Sequence, residues 1–219
     1  MSVLICTLNE AQTIRWVLER IPPWVDEILI VNGHSTDGTI EVAKTACPLV
    51  RVLLQPGKGK GDALRYGFSH ATGDIIVTID ADGQNDPAEL RSMIDPILSE
   101  GFDLVKGSRF KLGIPREMPW HRVLGNWFLA TTASLLYGVR FTDVCSGFNA
   151  FPRTTLGRIR YETMGPHDYE LVLYFRAIRA GLRIREVGNI DRGRIAGESK
   201  MPSWHTGWNN LKIIFRERV

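Results

Sequence analysis

The sequence has few cysteines, no long apolar run and little net charge, and each shortage excludes a class of protein. Its three cysteines, Cys6, Cys47 and Cys145, stand far apart, so neither a disulfide framework nor a cysteine metal site is indicated. We therefore expect a reducing, cytoplasmic environment. The longest apolar run, residues 127–139, contains Thr and Ser and is shorter than the ~20 residues that cross a membrane.

The N-terminal residues lack the basic region of a signal peptide, so we expect none. A net charge of +3 on 219 residues is too small to indicate a nucleic-acid partner. The charge is unevenly spread, however. From residue 176 onward the acids are Glu186, Asp191, Glu198 and Glu217, whereas the bases are Arg176, Arg179, Arg183, Arg185, Arg192, Arg194, Lys200, Lys212, Arg216 and Arg218. This tail suits anionic partners such as phosphate groups or a membrane surface.

What is present is an alternation of buried strands with helices or loops. A hydrophobic content of 44% allows a sizeable core. Five short apolar runs predict strands at residues 2–8, 26–32, 50–54, 74–80 and 102–108, and the runs at 2–8, 26–32 and 74–80 indicate buried strands. Such an alternation predicts an α/β fold with a mostly parallel sheet flanked by helices. The second half is less regular, and we expect a single domain over residues 1–219.

In a parallel sheet, ligands bind beyond the carboxyl ends of the strands. The segments that follow the five strands should therefore meet at one edge. They hold most of the polar residues of the first half: Thr7–Glu10, Asn32–Asp37, Gln55–Gly61, Asp80–Gln84 and Gly107–Phe110. This edge is the predicted ligand site.

Two carboxylates, Asp80 and Asp82, stand where the fourth apolar run stops. Residues i and i+2 of an extended segment point to the same side, so both acids face one spot. Carboxylate oxygens suit Mg²⁺ or Mn²⁺, and Gln84 offers a third oxygen ligand. The alternative is a solvated Asp-Gly turn, but the position at the ligand edge favours a metal site.

Phosphate-binding candidates follow other strands. The Gly-rich loop "GKGKG" at 57–61 brings backbone N–H groups and two lysines to an anion, although a flexible surface loop has the same composition. Arg forks bind phosphate bidentately. The candidate Arg and Lys residues are Arg109, Arg192, Arg194 and Lys200, with Ser199 beside them. A solvated charged loop is the alternative.

Candidate general bases, should the acceptor be a hydroxyl, are Asp143, Asp168 and Glu170, with His167 nearby. Asp168 also suits a helix cap.

In the terminal helix, aromatic and aliphatic residues recur at helical spacing: Trp204, Trp208, Leu211 and Phe215. A membrane-surface helix is one interpretation, but we expect ordinary packing against the sheet. The earlier stripe of Leu124, Trp127, Phe128 and Leu135 allows the same two interpretations.

Eight segments in order resemble a family 2 glycosyltransferase of GT-A fold, and within it the dolichyl- or polyprenyl-phosphate mannosyl- and glucosyltransferases. They are "CTLNE" at 6–10, "VNGHSTDGT" at 31–39, "GKGKGDALRYGF" at 57–68, "DADGQNDP" at 80–87, "GSRF" at 107–110, "TDVCSGFNAF" at 142–151, "DYEL" at 168–171 and the basic loop at 186–201. The resemblance implies a nucleotide-sugar half at 1–108 and an acceptor half at 109–219 that ends in an amphipathic helix.

The resemblance also implies roles for matching residues. Those that would bind the donor are Thr7, Asn9, Glu10, Asn32, Lys60, Asp62, Asp80 and Ser199. Asp80, Asp82 and Gln84 would hold Mg²⁺ or Mn²⁺ on the diphosphate. The residues that would serve catalysis or meet phosphate are Asp82, Arg109, Asp168, Glu170, Arg194 and Lys200. Asn32 and Gly33 replace the acidic pair of the family's second motif, so the nucleotide is not specified.

The implied reaction is an inverting transfer of a hexose from a donor such as GDP-mannose or UDP-glucose to a polyprenyl or dolichyl phosphate at the cytoplasmic membrane face, without nucleic acid. An acceptor hydroxyl on another glycan, lipid or small molecule is the alternative. A second alternative is a sugar-nucleotide-binding module without catalytic activity. The intact acid pair and basic loop argue against it. A nucleotidyltransferase would normally carry a basic Gly-rich loop after the first strand, whereas this chain has "TLNEAQT".

Overall fold

The computed structural model describes residues 1–115, 118–165, 170–197 and 203–218. Its seven strands are β1 (Ser2–Thr7), β2 (Glu27–Asn32), β3 (Arg51–Leu54), β4 (Ile75–Asp80), β5 (Leu104–Ser108), β6 (Asn149–Pro152) and β7 (Ile184–Gly188). Its α-helices are α1 (Ile14–Glu19), α2 (Thr39–Ala46), α3 (Lys60–His70), α4 (Leu90–Glu100), α5 (Trp120–Tyr137), α6 (Leu156–Ile159), α7 (Glu170–Arg179) and α8 (Ser203–Arg216). The five strands predicted in the first half are confirmed.

The strands form one sheet in the order β3-β2-β1-β4-β6-β5-β7. β1 pairs in parallel with β2 and β4, and β2 pairs in parallel with β3. β6 lies antiparallel between β4 and β5, and β7 is parallel to β5. The mostly parallel sheet is confirmed. The reversed direction of β6 does not follow from the sequence pattern. Because β6 runs against both neighbours, β1 to β5 still end at the same edge.

The central strands β1 and β4 are buried on both faces because helices cover each side, whereas the edge strands β3 and β7 are exposed or half-buried. On β1, Val3 and Ile5 belong to one core cluster, which Val17 of α1 and Met93 of α4 join. Leu4 points to the opposite face, into a second cluster with residues of α3, α5, α7 and α8. A continuous apolar run satisfies both faces at once, which explains why the strands lack polar alternation.

Helix α8 packs against α5 and α7 through a different stripe from the one expected. Its buried residues are Asn210, Ile213 and Ile214, and Glu217, directly after the helix, is buried as well. Trp204 is 85% exposed, and Trp208 and Phe215 are more than half exposed. The expected packing of these aromatic residues against the sheet is therefore wrong. Leu124, Trp127, Phe128 and Leu135 of α5 are also exposed. Among the described helices, none is both long and apolar enough to cross a membrane.

Candidate active site

A cavity of about 1710 Å³ opens at the carboxyl edge of the sheet. Residues that follow each of β1 to β5 line it, as the strand-end rule predicts. The predicted site residues that line it are Thr7, Glu10, Lys60, Asp80, Asp82, Gln84, Arg109, Glu170 and Arg194. The fold therefore brings together side chains from both halves of the sequence.

Asp80 ends β4, and its carboxylate is held by a lysine from α3. The Nζ atom of Lys60 lies 2.7 Å from Oδ1 of Asp80 and 2.7 Å from Oε1 of Glu170, at the start of α7. Burial alone would lower the pKa of Lys60, but the charges of Asp80 and Glu170 raise it well above its usual value. Lys60 is therefore an ammonium ion between two carboxylates.

Asp82 has its own basic partner, which comes from the loop after β7. Nη2 of Arg194 lies 3.1 Å from Oδ2 of Asp82, and Nη1 of Arg194 lies 3.1 Å from Oε2 of Glu10. The backbone N–H of Gln84 donates to Oδ1 of Asp82 over 3.1 Å. Each acid of the predicted metal pair thus touches one basic side chain, and each basic side chain touches a second acid.

The electrostatics of this site favour a cation. Burial, and then the charge of Asp80, raise the pKa of Asp82 to about 6, although Arg194 opposes this shift. Burial also raises the pKa of Glu170, against the opposing charge of Lys60. Within the described ranges, no three His, Cys, Asp or Glu side chains cluster as a metal site. A divalent cation here would depend on the two aspartates, the Gln84 amide and oxygens of the donor, which is a donor set that Mg²⁺ and Mn²⁺ accept.

Close packing around the acid pair depends on glycine. A Cβ atom at Gly147 would lie 2.2 Å from Oδ2 of Asp80. Gly83 has φ +75°, and a Cβ there would meet Ile195, one residue beyond Arg194. The basic loop after β7 therefore lies directly against the turn that carries Asp82.

Three of the residues predicted to bind the donor instead make hydrogen bonds that hold neighbouring loops. Oδ1 of Asn9 accepts from the backbone N–H of Thr36, and Oδ1 of Asn32 accepts from that of Ser35. Asp62 accepts from the backbone N–H of Gly57, which fixes the Gly-rich loop. These three residues support loops near the cavity, whereas Thr7, Glu10 and Lys60 line the cavity itself.

Arg109, which follows β5 and lines the cavity, forms a buried ion pair with Asp143. Nε of Arg109 donates to Oδ2 of Asp143 over 2.7 Å, and Nη2 donates to Oδ1 over 3.0 Å. Burial alone would raise the pKa of Asp143, but the charge and hydrogen bonds of Arg109 lower it to about 2. A carboxylate this acidic is a poor general base at neutral pH. The geometry therefore gives Asp143 the role of orienting Arg109.

The cavity continues from the acids into an apolar groove between α5 and α8. Its apolar lining includes Leu124, Phe128, Leu129, Trp204, Trp208 and Leu211. The predicted residues Asp168, Ser199 and Lys200, and also His167, lie outside the described residues.

Three residues that support the site were assigned no role from the sequence: Lys106, Glu186 and Gln55. Lys106 of β5 is fully buried and lies 2.8 Å from Oε1 of Glu186 on β7. Lys106 also donates to the backbone carbonyl of Asp143. Gln55 follows β3 and donates from Nε2 to Asp62 and to the carbonyl of Gly59. Gln55 carried the clearest signal, since it begins the segment Gln55–Gly61 at the predicted ligand edge.

Comparisons with known proteins identify the family and the fold. The model of the family described as Glycosyl transferase family 2 matches residues 2–159. The polyprenol monophosphomannose synthase of Mycolicibacterium smegmatis is 32% identical over 228 residues, with coverage of 98% of this chain and 84% of that protein. The glycosyltransferase AglJ of Haloferax volcanii is 36% identical over 158 residues, or 70% of this chain. That alignment spans only 50% of the archaeal protein.

A solved structure has a similar fold over nearly the whole chain. The glucosyl-3-phosphoglycerate synthase of Mycobacterium tuberculosis superimposes with a TM-score of 0.77 at 26% identity, and covers 99% of this chain and 78% of that one. It was crystallised with Mn²⁺, UDP and glucosyl-3-phosphoglycerate.

Proposed function

This chain belongs to glycosyl transferase family 2, and from that premise we propose that it transfers a hexose from a nucleotide-diphosphate sugar to a polyprenyl or dolichyl phosphate. One observation carries the choice of acceptor. A single cavity joins the acid pair at the sheet edge to the apolar groove between α5 and α8. A sugar nucleotide is polar throughout, whereas a polyprenyl phosphate has one ionic end and a long apolar chain. The cavity has the same division.

The donor diphosphate would lie at the edge formed by Asp80, Asp82 and Gln84, which would hold Mg²⁺ or Mn²⁺. The basic side chains that now touch the acids support this assignment, because they show that the pair attracts positive charge. When bound, such a cation neutralises the diphosphate and stabilises it as a leaving group. The Gly-rich loop and Lys60 lie beside it and would contact the donor phosphates.

The acceptor phosphate needs orientation rather than deprotonation, because a phosphate monoester is already ionised near neutral pH. Arg109 lines the cavity and is held rigidly by Asp143. An arginine held in this way presents its remaining N–H groups in one fixed direction. The proposed mechanism therefore uses Arg109 and Arg194 to position an anionic nucleophile for attack on the anomeric carbon.

The apolar chain of the acceptor favours a position at a membrane surface. Large exposed aromatic side chains cluster on α5 and α8: Trp120, Trp127, Phe128, Trp204, Trp208 and Phe215. Lys212 lies over the ring of Trp208, 5.8 Å from its centre. Tryptophan beside basic residues is typical of helices that lie in the membrane interface. We assign this α5–α8 face to peripheral contact with the bilayer that holds the acceptor.

An acceptor hydroxyl is the second candidate. Glu170 favours it, since this carboxyl is buried in the cavity wall and its pKa is raised by burial. A base with a raised pKa accepts a proton more readily near neutral pH. The contact with Lys60 opposes this role because the ammonium ion stabilises the charged carboxylate.

The donor is tested with purified protein, a short polyprenyl phosphate and either Mg²⁺ or Mn²⁺. GDP-mannose, UDP-glucose and UDP-GlcNAc are offered separately, and nucleotide release and lipid-linked sugar are both measured. We expect one donor to give both products. No transfer and no donor hydrolysis under any combination would contradict the proposed function. The Asp82→Asn variant should lose the metal-dependent reaction.

A further inference from the structure

The charged residues at the acid pair form two short chains of alternating sign. In the first, Arg194 lies between Asp82 and Glu10. In the second, Lys60 lies between Asp80 and Glu170, with both distances at 2.7 Å. Each basic group therefore has one partner inside the acid pair and a second partner outside it.

The outer acids are placed to keep their basic partners within the cavity. The side chains of Glu10 and Glu170 are only 12% and 6% exposed, and those of Arg194 and Lys60 are each 22% exposed. A charge that loses its partner in such a place remains poorly solvated. If a basic group moved off the acid pair without a second carboxylate, that cost would oppose the move.

We propose that Glu10 and Glu170 are positioning residues that receive Arg194 and Lys60 when a divalent cation takes over Asp82 and Asp80. The two bases act as internal counter-ions of the acid pair in the metal-free protein. With a cation bound, each base would keep only the contact with its outer acid, which it already makes in this structure. Both bases then stay at the cavity wall, beside the place of the donor and acceptor phosphates. This inference depends on one part of the proposed function, namely that the acid pair binds a divalent cation.

Substitutions of Arg194 and Glu10 should change the affinity for Mn²⁺ in opposite directions. Arg194→Gln removes a competitor for Asp82, so nucleotide-free protein should bind Mn²⁺ about ten-fold more tightly, as expected for removal of a charge at contact distance. Glu10→Gln removes the acid that receives Arg194, so the arginine depends wholly on Asp82 and Mn²⁺ should bind more weakly. Binding is read from the electron paramagnetic resonance signal of free Mn²⁺, without donor or acceptor.

The double variant separates positioning from direct ligation. If Glu10 acts mainly through Arg194, then Glu10→Gln should weaken Mn²⁺ binding clearly less in the Arg194→Gln background than in the wild type. If Glu10 ligated the metal itself, the substitution would weaken Mn²⁺ binding as much or more in the Arg194→Gln background, and the proposal would be wrong. The same comparison applies to Glu170→Gln in the wild-type and Lys60→Gln backgrounds. Arg15→Gln, which removes an exposed pairing with Glu19 on α1, is the matched control and should change nothing.

The test does not depend on transferase activity. Circular dichroism confirms that each variant is folded before Mn²⁺ is added. Equal affinity of wild type and Arg194→Gln, or no binding by either, would overturn the inference even if the enzyme transferred sugar. Conversely, the expected pattern of affinities would stand even if the acceptor proved to be a hydroxyl.

Discussion

Arg109 and Asp143 meet in a two-pronged ion pair although 34 positions of sequence separate them. Asp143 is fully buried, and the arginine side chain is 13% exposed at the cavity. The carboxylate also accepts from the backbone N–H groups of Arg109 and Cys145. The pair therefore fastens the loop before β6 to the end of β5. It connects the stability of this part of the fold to the orientation of Arg109, one of the catalytic candidates.

This pair predicts a specific pH dependence of stability. The pKa of Asp143 is about 2 in the fold and 3.8 ordinarily, because Arg109 outweighs the effect of burial. Its stabilising contribution is therefore complete above pH 4 to 5 and is lost as the pH falls toward 2. We expect the difference in unfolding free energy between wild type and Asp143→Asn to narrow by about 1 kcal/mol between pH 6 and pH 3. Urea unfolding at both pH values measures it. A constant difference would contradict the assignment.

The buried Lys106 predicts a large loss of stability. Lys106→Met leaves Glu186 without its ammonium partner inside the fold and should cost about 3 to 5 kcal/mol. Lys111 is the matched control, since its ammonium group donates to the backbone carbonyl of the same Glu186 but is exposed. Lys111→Met should cost less than about 1 kcal/mol. If urea unfolding gave similar losses of unfolding free energy for both variants, burial of the Lys106–Glu186 pair would not contribute to stability.

Substitution of Gly147 by alanine should reduce activity without a comparable loss of stability. In Gly147→Ala the new methyl group would overlap Oδ2 of Asp80 and displace that carboxylate. Misplacement by about 1 Å typically costs a hundred-fold in rate, so we expect kcat/KM to fall by about that factor. Gly157→Ala is the control, because a Cβ at Gly157 has no neighbour within 4 Å. Equal activity of the two variants would show that Asp80 tolerates displacement.

The α5–α8 face predicts binding to lipid vesicles. Trp127→Ser with Trp204→Ser removes two strongly exposed indole rings and should weaken sedimentation with phosphatidylglycerol–phosphatidylcholine vesicles by about ten-fold or more. The melting temperature should hardly change, because neither ring is buried. Trp24→Ser is the control: Trp24 is 43% exposed and precedes β2, at the amino end of the sheet. If all variants sediment equally, the face is not the membrane contact.

Much of the fold and the site follows from local rules. Uninterrupted apolar runs indicate strands buried on both faces, and parallel strands end at a common edge. These two facts place Thr7, Asp80 and Arg109 at one cavity although they lie far apart in the sequence. The glycines and polar residues at those strand ends then indicate a site for an anionic ligand.

Pairings across long sequence distances could not be predicted in this way. Nothing local to Glu10 indicates that Arg194, 184 positions away, will contact it. The direction of β6 is also non-local, because a four-residue strand has the same pattern in either orientation. The prediction that the aromatic stripe on α8 packs against the sheet was wrong for another reason. Its aromatic residues have helical periodicity, but the inference that they pack inward assumes that their partner belongs to the same chain.

The most direct test of the account compares two acceptors of equal chain length, a polyprenyl phosphate and the corresponding polyprenol. Purified protein receives each acceptor with the preferred donor and Mn²⁺, and mass spectrometry identifies the lipid product. We predict a hexosyl phosphate lipid from the first acceptor and no glycosylated product from the second. Glycosylation of the polyprenol at an equal or higher rate, or of neither lipid, would contradict the assignment of a phosphate acceptor.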